Sequence, residues 1–144
     1  NCASPVLVVP ADTAMTDNPF GSGAALIGWN ASVAAARAVR DALPLLARAR
    51  KTYVAVLNAV PEVYGEEPGA DIAIYLARHG IAVEIIRQTV DTDAGHGLLA
   101  LADQMACGLL VMGCIAHHHS GGWLPGGATR VALQSSRIPV LMAH

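Results

Sequence analysis

The stretch Leu109–Arg130 constrains this chain more than any other. An apolar run ends in Gly113, a loop CIAHHHSGGWLP follows, and the pair Gly126-Gly127 opens the run ATRVALQSS. The first segment predicts a buried strand and the last a helix start. In an α/β sheet a strand, a loop and a helix start in that order build an anion site. The first N–H groups of the helix lack intrahelical partners, and the helix dipole adds partial positive charge. Glycine at such a place lets backbone approach the ligand closely.

The rest of the chain alternates in the same way. Ala24–Trp29, Thr52–Asn58 and Ile81–Thr89 read as strands, Leu109–Met112 as a fourth and Ile138–Ala143 as a closing one. Between them, Val33–Ala49 carries apolar residues at helical spacing, with Asn30 or Ser32 as its cap and Pro44 placed to kink or split it. Ala70–His79 is a helix stopped by Gly80, and Leu98–Ala106 is another, ending near Gly108. Pro61–Gly69 is a polar surface loop. This order predicts an α/β fold, an open parallel sheet with right-handed crossovers and helices on both faces.

Composition removes several function classes. The 144 residues are 53% apolar and only 14% charged, enough for one compact domain with a full core. A net charge of −2 leaves no electrostatic footprint for nucleic acid or an anionic membrane. No apolar run approaches the roughly 18 residues of a membrane span. Asn1–Pro10 lacks the basic n-region and the longer apolar core of a signal peptide. Cys2, Cys107 and Cys114 show no C-x-x-C spacing, which suits a reducing, cytoplasmic setting.

The spacing Gly113, Ala116, Gly126, Gly127 resembles the G-x-x-G-x9-G-S/T nucleotide signature of the universal stress protein family, with Ala for the second glycine and Gly for the final hydroxyl residue. LIGWNAS (26–32), RAVRDALPLLARA (37–49), GEEPGADIAIYLARHG (65–80) and RIPVLMAH (137–144) extend the likeness over most of the chain. It looks closest to the second half of tandem stress proteins. The resemblance implies a five-stranded sheet of order 3-2-1-4-5, a Rossmann-like, nucleotide-binding α-hydrolase-like arrangement. Its crevice would lie at the carboxyl ends of strands one and four, where Asn30 and Gly113 meet.

The resemblance also organises the N-terminus. Ser4–Val9, SPVLVV, echoes the closing IPVLMA, so residues 1–10 are expected to be the last strand of a preceding stress-protein domain. Residues 11–23 are then a linker able to reach up to about 40 Å, and 24–144 the domain itself. In the family, last strands meet antiparallel across a dyad. The edge Val140, Leu141, Met142, Ala143 should therefore meet either its own copy, as a homodimer, or the strand Pro5, Val6, Leu7, Val8, Val9.

The expected nucleotide-binding set is Asn30, Gly113, Ala116, His117, Gly126, Gly127 and Thr129. Asn30 stands where the family has an acidic nucleoside contact and reads equally as a helix cap. Thr129 is either a replacement for the missing hydroxyl at Gly127 or an ordinary helix-surface threonine. One imidazole of His117–His119 is expected at the ligand or the crevice rim. Consecutive histidines lack the i, i+4 spacing of helical metal pairs, so no metal site is expected. Trp123 either stacks on a base or covers the sheet edge, and Glu66-Glu67 is a solvated turn.

ATP carries about four negative charges, against the 0.3–2 kcal/mol or so of a helix terminus, and no Lys or Arg occurs between Cys114 and Thr129. Binding of ATP or AMP is therefore expected to be weak or assisted by Mg. No nucleophile elbow, P-loop or dinucleotide fingerprint is present. The expectation is a non-enzymatic regulatory domain of the stress response, with weak ATP hydrolysis a minor alternative. The other reading is a nucleotide-free dimerisation module of a tandem stress protein.

Overall fold

The computed structural model describes residues 4–11, 23–114, 116–119 and 122–144. The elements run β1 (Val6–Val8), β2 (Ala24–Gly28), α1 (Val33–Leu46), β3 (Lys51–Leu57), α2 (Pro61–Tyr64), α3 (Ala70–Arg78) and β4 (Val83–Gln88). They continue through α4 (Ala94–Gln104), β5 (Cys107–Gly113), β6 (Ala116–His119), β7 (Gly122–Pro125), α5 (Gly127–Ser135) and β8 (Val140–Ala143).

The main sheet has six strands in the order β1-β8-β5-β2-β3-β4. Five of them, β4-β3-β2-β5-β8, are parallel, and β1 adds a sixth, antiparallel strand along β8. The five-stranded expectation thus differs by this extra edge strand. Its register pairs Val6 with Met142, Leu7 with Leu141 and Val8 with Val140.

Side chains alternate across the sheet, so neighbouring residues feed opposite cores. Ile27, Val54, Val111 and Leu141 face α1 and α3, meeting Ala35, Ala38, Ala42, Leu46, Ile72 and Leu76. Leu26, Tyr53, Leu110, Met112 and Val140 face the other layer, with Leu98, Leu101, Ala102 and Ala132. The strands read as unbroken apolar runs because both faces are covered. Alanines on the buried stripe of α1 keep that helix close to the sheet.

Several boundaries depart from expectation. Pro44 does not split α1. It sits in the last turn, and the helix ends at Leu46. Part of the Pro61–Gly69 loop is the one-turn helix α2, with proline at its first position, where no N–H is needed. Helix α4 begins at Ala94, four residues before the expected Leu98, because the Asp93 side chain accepts from His96 N at 3.1 Å and caps it. Gly95 and Gly97 hide this start in the sequence. Both are required by close packing: a Cβ on Gly95 would lie 2.9 Å from Ala128 Cα, and one on Gly97 would lie 2.9 Å from a Leu57 methyl.

The long loop after β5 is also more ordered than expected, since β6 and β7 form an antiparallel ribbon pairing Ala116 with Pro125 and His119 with Gly122. Most of the linker 11–23 lies outside the described residues, as do the side chains at 116–119 and 122–125, including those of the histidine tract and Trp123. No helix among the described residues is long and apolar enough to cross a membrane.

Candidate functional site

The carboxyl ends of β2 and β5 lie side by side in the middle of the sheet. From here the chain runs one way to β3 and β4 and the other way to β8. A crevice opens where the connections diverge. Gly28, Trp29 and Asn30 extend from β2, Ala55 and Leu57 from β3, and Met112 and Gly113 from β5. Ala94 and Leu98 of α4 close one side, and Gly126, Gly127, Ala128 and Thr129 at the start of α5 close the other. The cavity these residues enclose is about 170 Å³.

Of the expected residues, Asn30, Gly113, Gly126, Gly127 and Thr129 come together on this crevice. For Ala116 and His117 only the backbone, in β6, is described. Asn30 is not the helix cap. Ser32 holds that position, its Oγ accepting from Ala35 N at 3.1 Å, while Asn30 Oδ1 accepts from Ser32 N at 3.2 Å and from Ser32 Oγ at 2.6 Å. Those bonds turn the Asn30 oxygen toward the chain. Ala31 between them is left-handed, with φ 56°, a conformation costing about 1 kcal/mol or more that persists only under tertiary constraint.

Gly113 has a packing reason beside any ligand role. A Cβ there would fall 2.5 Å from Ala35 N and 2.8 Å from Ala34 C, so the first turn of α1 rests directly on it. Gly127 is the opposite case, with nothing within 4 Å of where a Cβ would be. The family's hydroxyl would fit sterically at that position.

Helix α5 starts at Gly126 with no side-chain cap. Its first closed turn is Arg130 N to Gly126 O at 2.9 Å. The N–H groups of Gly127, Ala128 and Thr129 therefore have no backbone acceptor among the described residues. Thr129 does not lie on the helix surface. It is 3% exposed and lines the crevice.

Three features of the site were not read from the sequence. Leu57, Leu98 and Met112 give the crevice an apolar wall. Trp29, 7% exposed, lines it too, and its Nε1 has no hydrogen-bond partner among the described residues. At the start of α4, the His96 ring hydrogen-bonds the Asp93 carboxylate and holds that carboxyl below its ordinary value. No residue lining the crevice is charged. Among the described residues no group of three or more His, Cys, Asp or Glu is placed to hold a metal ion. Burial in the sheet pushes the Cys107 thiol up to about 11, which leaves it a packing residue rather than a nucleophile.

An open parallel sheet, covered on both faces and cleft at its switch point, makes this a Rossmann-like α/β protein. No family model matches the sequence, and no curated protein does. Among solved structures the fold is similar to that of universal stress proteins. One from Archaeoglobus fulgidus DSM 4304 has TM-score 0.71 at 17% identity, over 95% of this chain and 49% of that one. A second from Archaeoglobus fulgidus has TM-score 0.66 at 16% identity, over 83% of this chain and 96% of its own. A universal stress protein in complex with cAMP has TM-score 0.57 at 23% identity, over 85% of this chain and 97% of its own. The chain spans about half the length of the first of these.

Proposed function

We propose that this chain is a universal stress protein-like regulatory domain that takes part in the stress response by binding an adenine nucleotide without turning it over. One observation carries the reading. The uncapped first turn of α5, the buried Thr129 side chain and the unpartnered Trp29 indole N–H line a crevice at the topological switch point. The similar fold of a stress protein complexed with cAMP supports it. Asn30, Gly113, Gly126, Gly127 and Thr129 are the contacts, with Ala116 and His117 at the rim. ATP or AMP would bind with Mg supplied by the nucleotide, since the crevice lining has no cation. No group among the described residues stands out as a base for hydrolysis.

The antiparallel β1·β8 pair favours a second role, as a pairing module. The two neighbours matched over nearly their whole length cover 83% and 85% of this chain, the share that residues 24–144 alone represent. The neighbour of about twice the length covers 95%. This supports residues 1–10 as the closing strand of a preceding domain of the same fold, joined through residues 11–23. Pairing would then run through Pro5–Val9 and Val140–Ala143, or through the latter and a second copy.

Calorimetric titration with ATP and AMP, with and without Mg, tests the nucleotide reading. Thr129→Val keeps the volume and removes the hydroxyl, so affinity should fall about 5- to 10-fold. Gly127→Ser, which meets no steric obstacle, should raise it. No heat up to millimolar nucleotide for the wild type and Gly127→Ser would leave only the pairing role.

A further inference from the structure

We infer that the groove between the first halves of α1 and α3 is a second ligand site, separate from the crevice, that takes a small apolar molecule carrying a single carboxylate. The inference goes beyond the nucleotide reading and does not depend on it. Among the described residues, only Trp29 lines both places.

The groove follows from how α1 sits on the sheet. Ala35, Ala38 and Ala42 on its buried stripe let the helix lie close to the strands. Ala36, on the flank toward α3, is too small to fill the space between the two helices. The cavity left there is about 410 Å³, against about 170 Å³ for the crevice, and small-molecule sites span roughly 300–1,000 Å³. Its surface is largely apolar. Trp29 and Ile72 are buried, Tyr75 is half-buried, and Val33 on the rim is 69% exposed.

The polar side chains in this lining are mostly donors. Arg37, Arg40 and the Trp29 indole can only donate, Tyr75 can do either, and Asp71 alone can only accept. A ligand that matches this set brings acceptors and negative charge. Arg37 is already engaged, its Nη1 donating to His144 O at 2.8 Å, so it serves the groove through its methylene stem. Arg40 is held at one edge: its Nε donates to Asp41 Oδ1 at 2.9 Å. That bond steadies the guanidinium and leaves its two Nη groups to meet a second carboxylate. The Trp29 N–H, buried and without a partner among the described residues, is a further donor in the same lining.

One negative charge is the number that fits. A phosphate or a dicarboxylate brings a second charge, which Asp71 on the facing helix opposes. A ring or branched hydrocarbon with one carboxylate places its head at Arg40 and its body against Trp29, Ile72 and Tyr75.

Titration of the whole chain with phenylpropionate and with its uncharged counterpart phenylpropionamide, followed by NMR shifts, tests this. Both should move the signals of Val33, Ile72 and Tyr75, with the acid binding about fivefold tighter or more. Arg40→Met keeps an apolar stem and gives up only an exposed ion pair. It should remove the advantage of the acid and leave the affinity of the amide unchanged. Ala36→Phe fills the groove from an exposed helix position and should abolish binding of both, with an unchanged circular dichroism spectrum showing the variant folded. Acid and amide binding alike, or acid binding untouched by Arg40→Met, overturns the carboxylate assignment. No shift at the three groove residues up to tens of millimolar ligand, or binding that survives Ala36→Phe, overturns the site. Either failure leaves the nucleotide reading standing, since neither variant alters the crevice lining.

Discussion

Gly113 sits at the meeting of two requirements. As the last residue of β5 it lines the crevice, and as a residue without a side chain it seats the first turn of α1 at a distance no Cβ permits. Gly113→Ala should therefore destabilise the protein by about 1–3 kcal/mol through overpacking, read as a lower urea midpoint. If the variant keeps wild-type stability, the contact with Ala35 is slack and the glycine serves the ligand alone. Glycine spacing in a sequence cannot separate these causes, because both act on the same missing atom. Thr129 illustrates the converse: its neighbours allow either a surface or a buried hydroxyl, and only the docking of α5 against α4 buries it.

Helix starts decide the chemistry at the next scale. Helix α4 is launched by Asp93 and passes two glycines before its first leucine, so hydrophobic periodicity alone places the start too late. The cap is also pH-sensitive. The His96 hydrogen bond lowers the Asp93 pKa in the folded state, so its stabilising contribution is complete above the ordinary carboxylate value near 4. That contribution is lost as pH falls through the lowered one. Asp93→Ala should lower the melting temperature at pH 7 and lower it by less at pH 2–3, in thermal melts followed by circular dichroism. An equal loss at both pH values would mean that the cap does not depend on its charge. Helix α5 starts without any side-chain cap, which leaves its donors to a ligand.

For the whole molecule, the edge of the sheet is the exposed question. Strand β1 covers β8 but is itself apolar and partly open, with Val6 48% and Leu7 40% exposed. Three residues of antiparallel pairing form a slight cover. Removing residues 1–11 should bare the β8 edge and raise self-association, measured by sedimentation at several concentrations. A shortened chain that stays monomeric would show that β8 needs no partner.

Read alone, the sequence determined what depends on neighbours in the chain. The alternation of apolar runs and amphipathic segments specified strands, helices and a parallel, doubly covered sheet, and the Gly113 to Gly127 spacing pointed to the loop that carries the crevice. Burial periodicity and backbone conformation are local properties, so they leave a local trace. The tertiary structure alone decided the start of α4, the apolar wall of Leu57, Leu98 and Met112, and the seating of α1 on Gly113. It also brought the Asp93 cap beside the first turn of α5. Those depend on residues distant in sequence arriving at one place, and the sheet order that brings them together arises from packing in three dimensions.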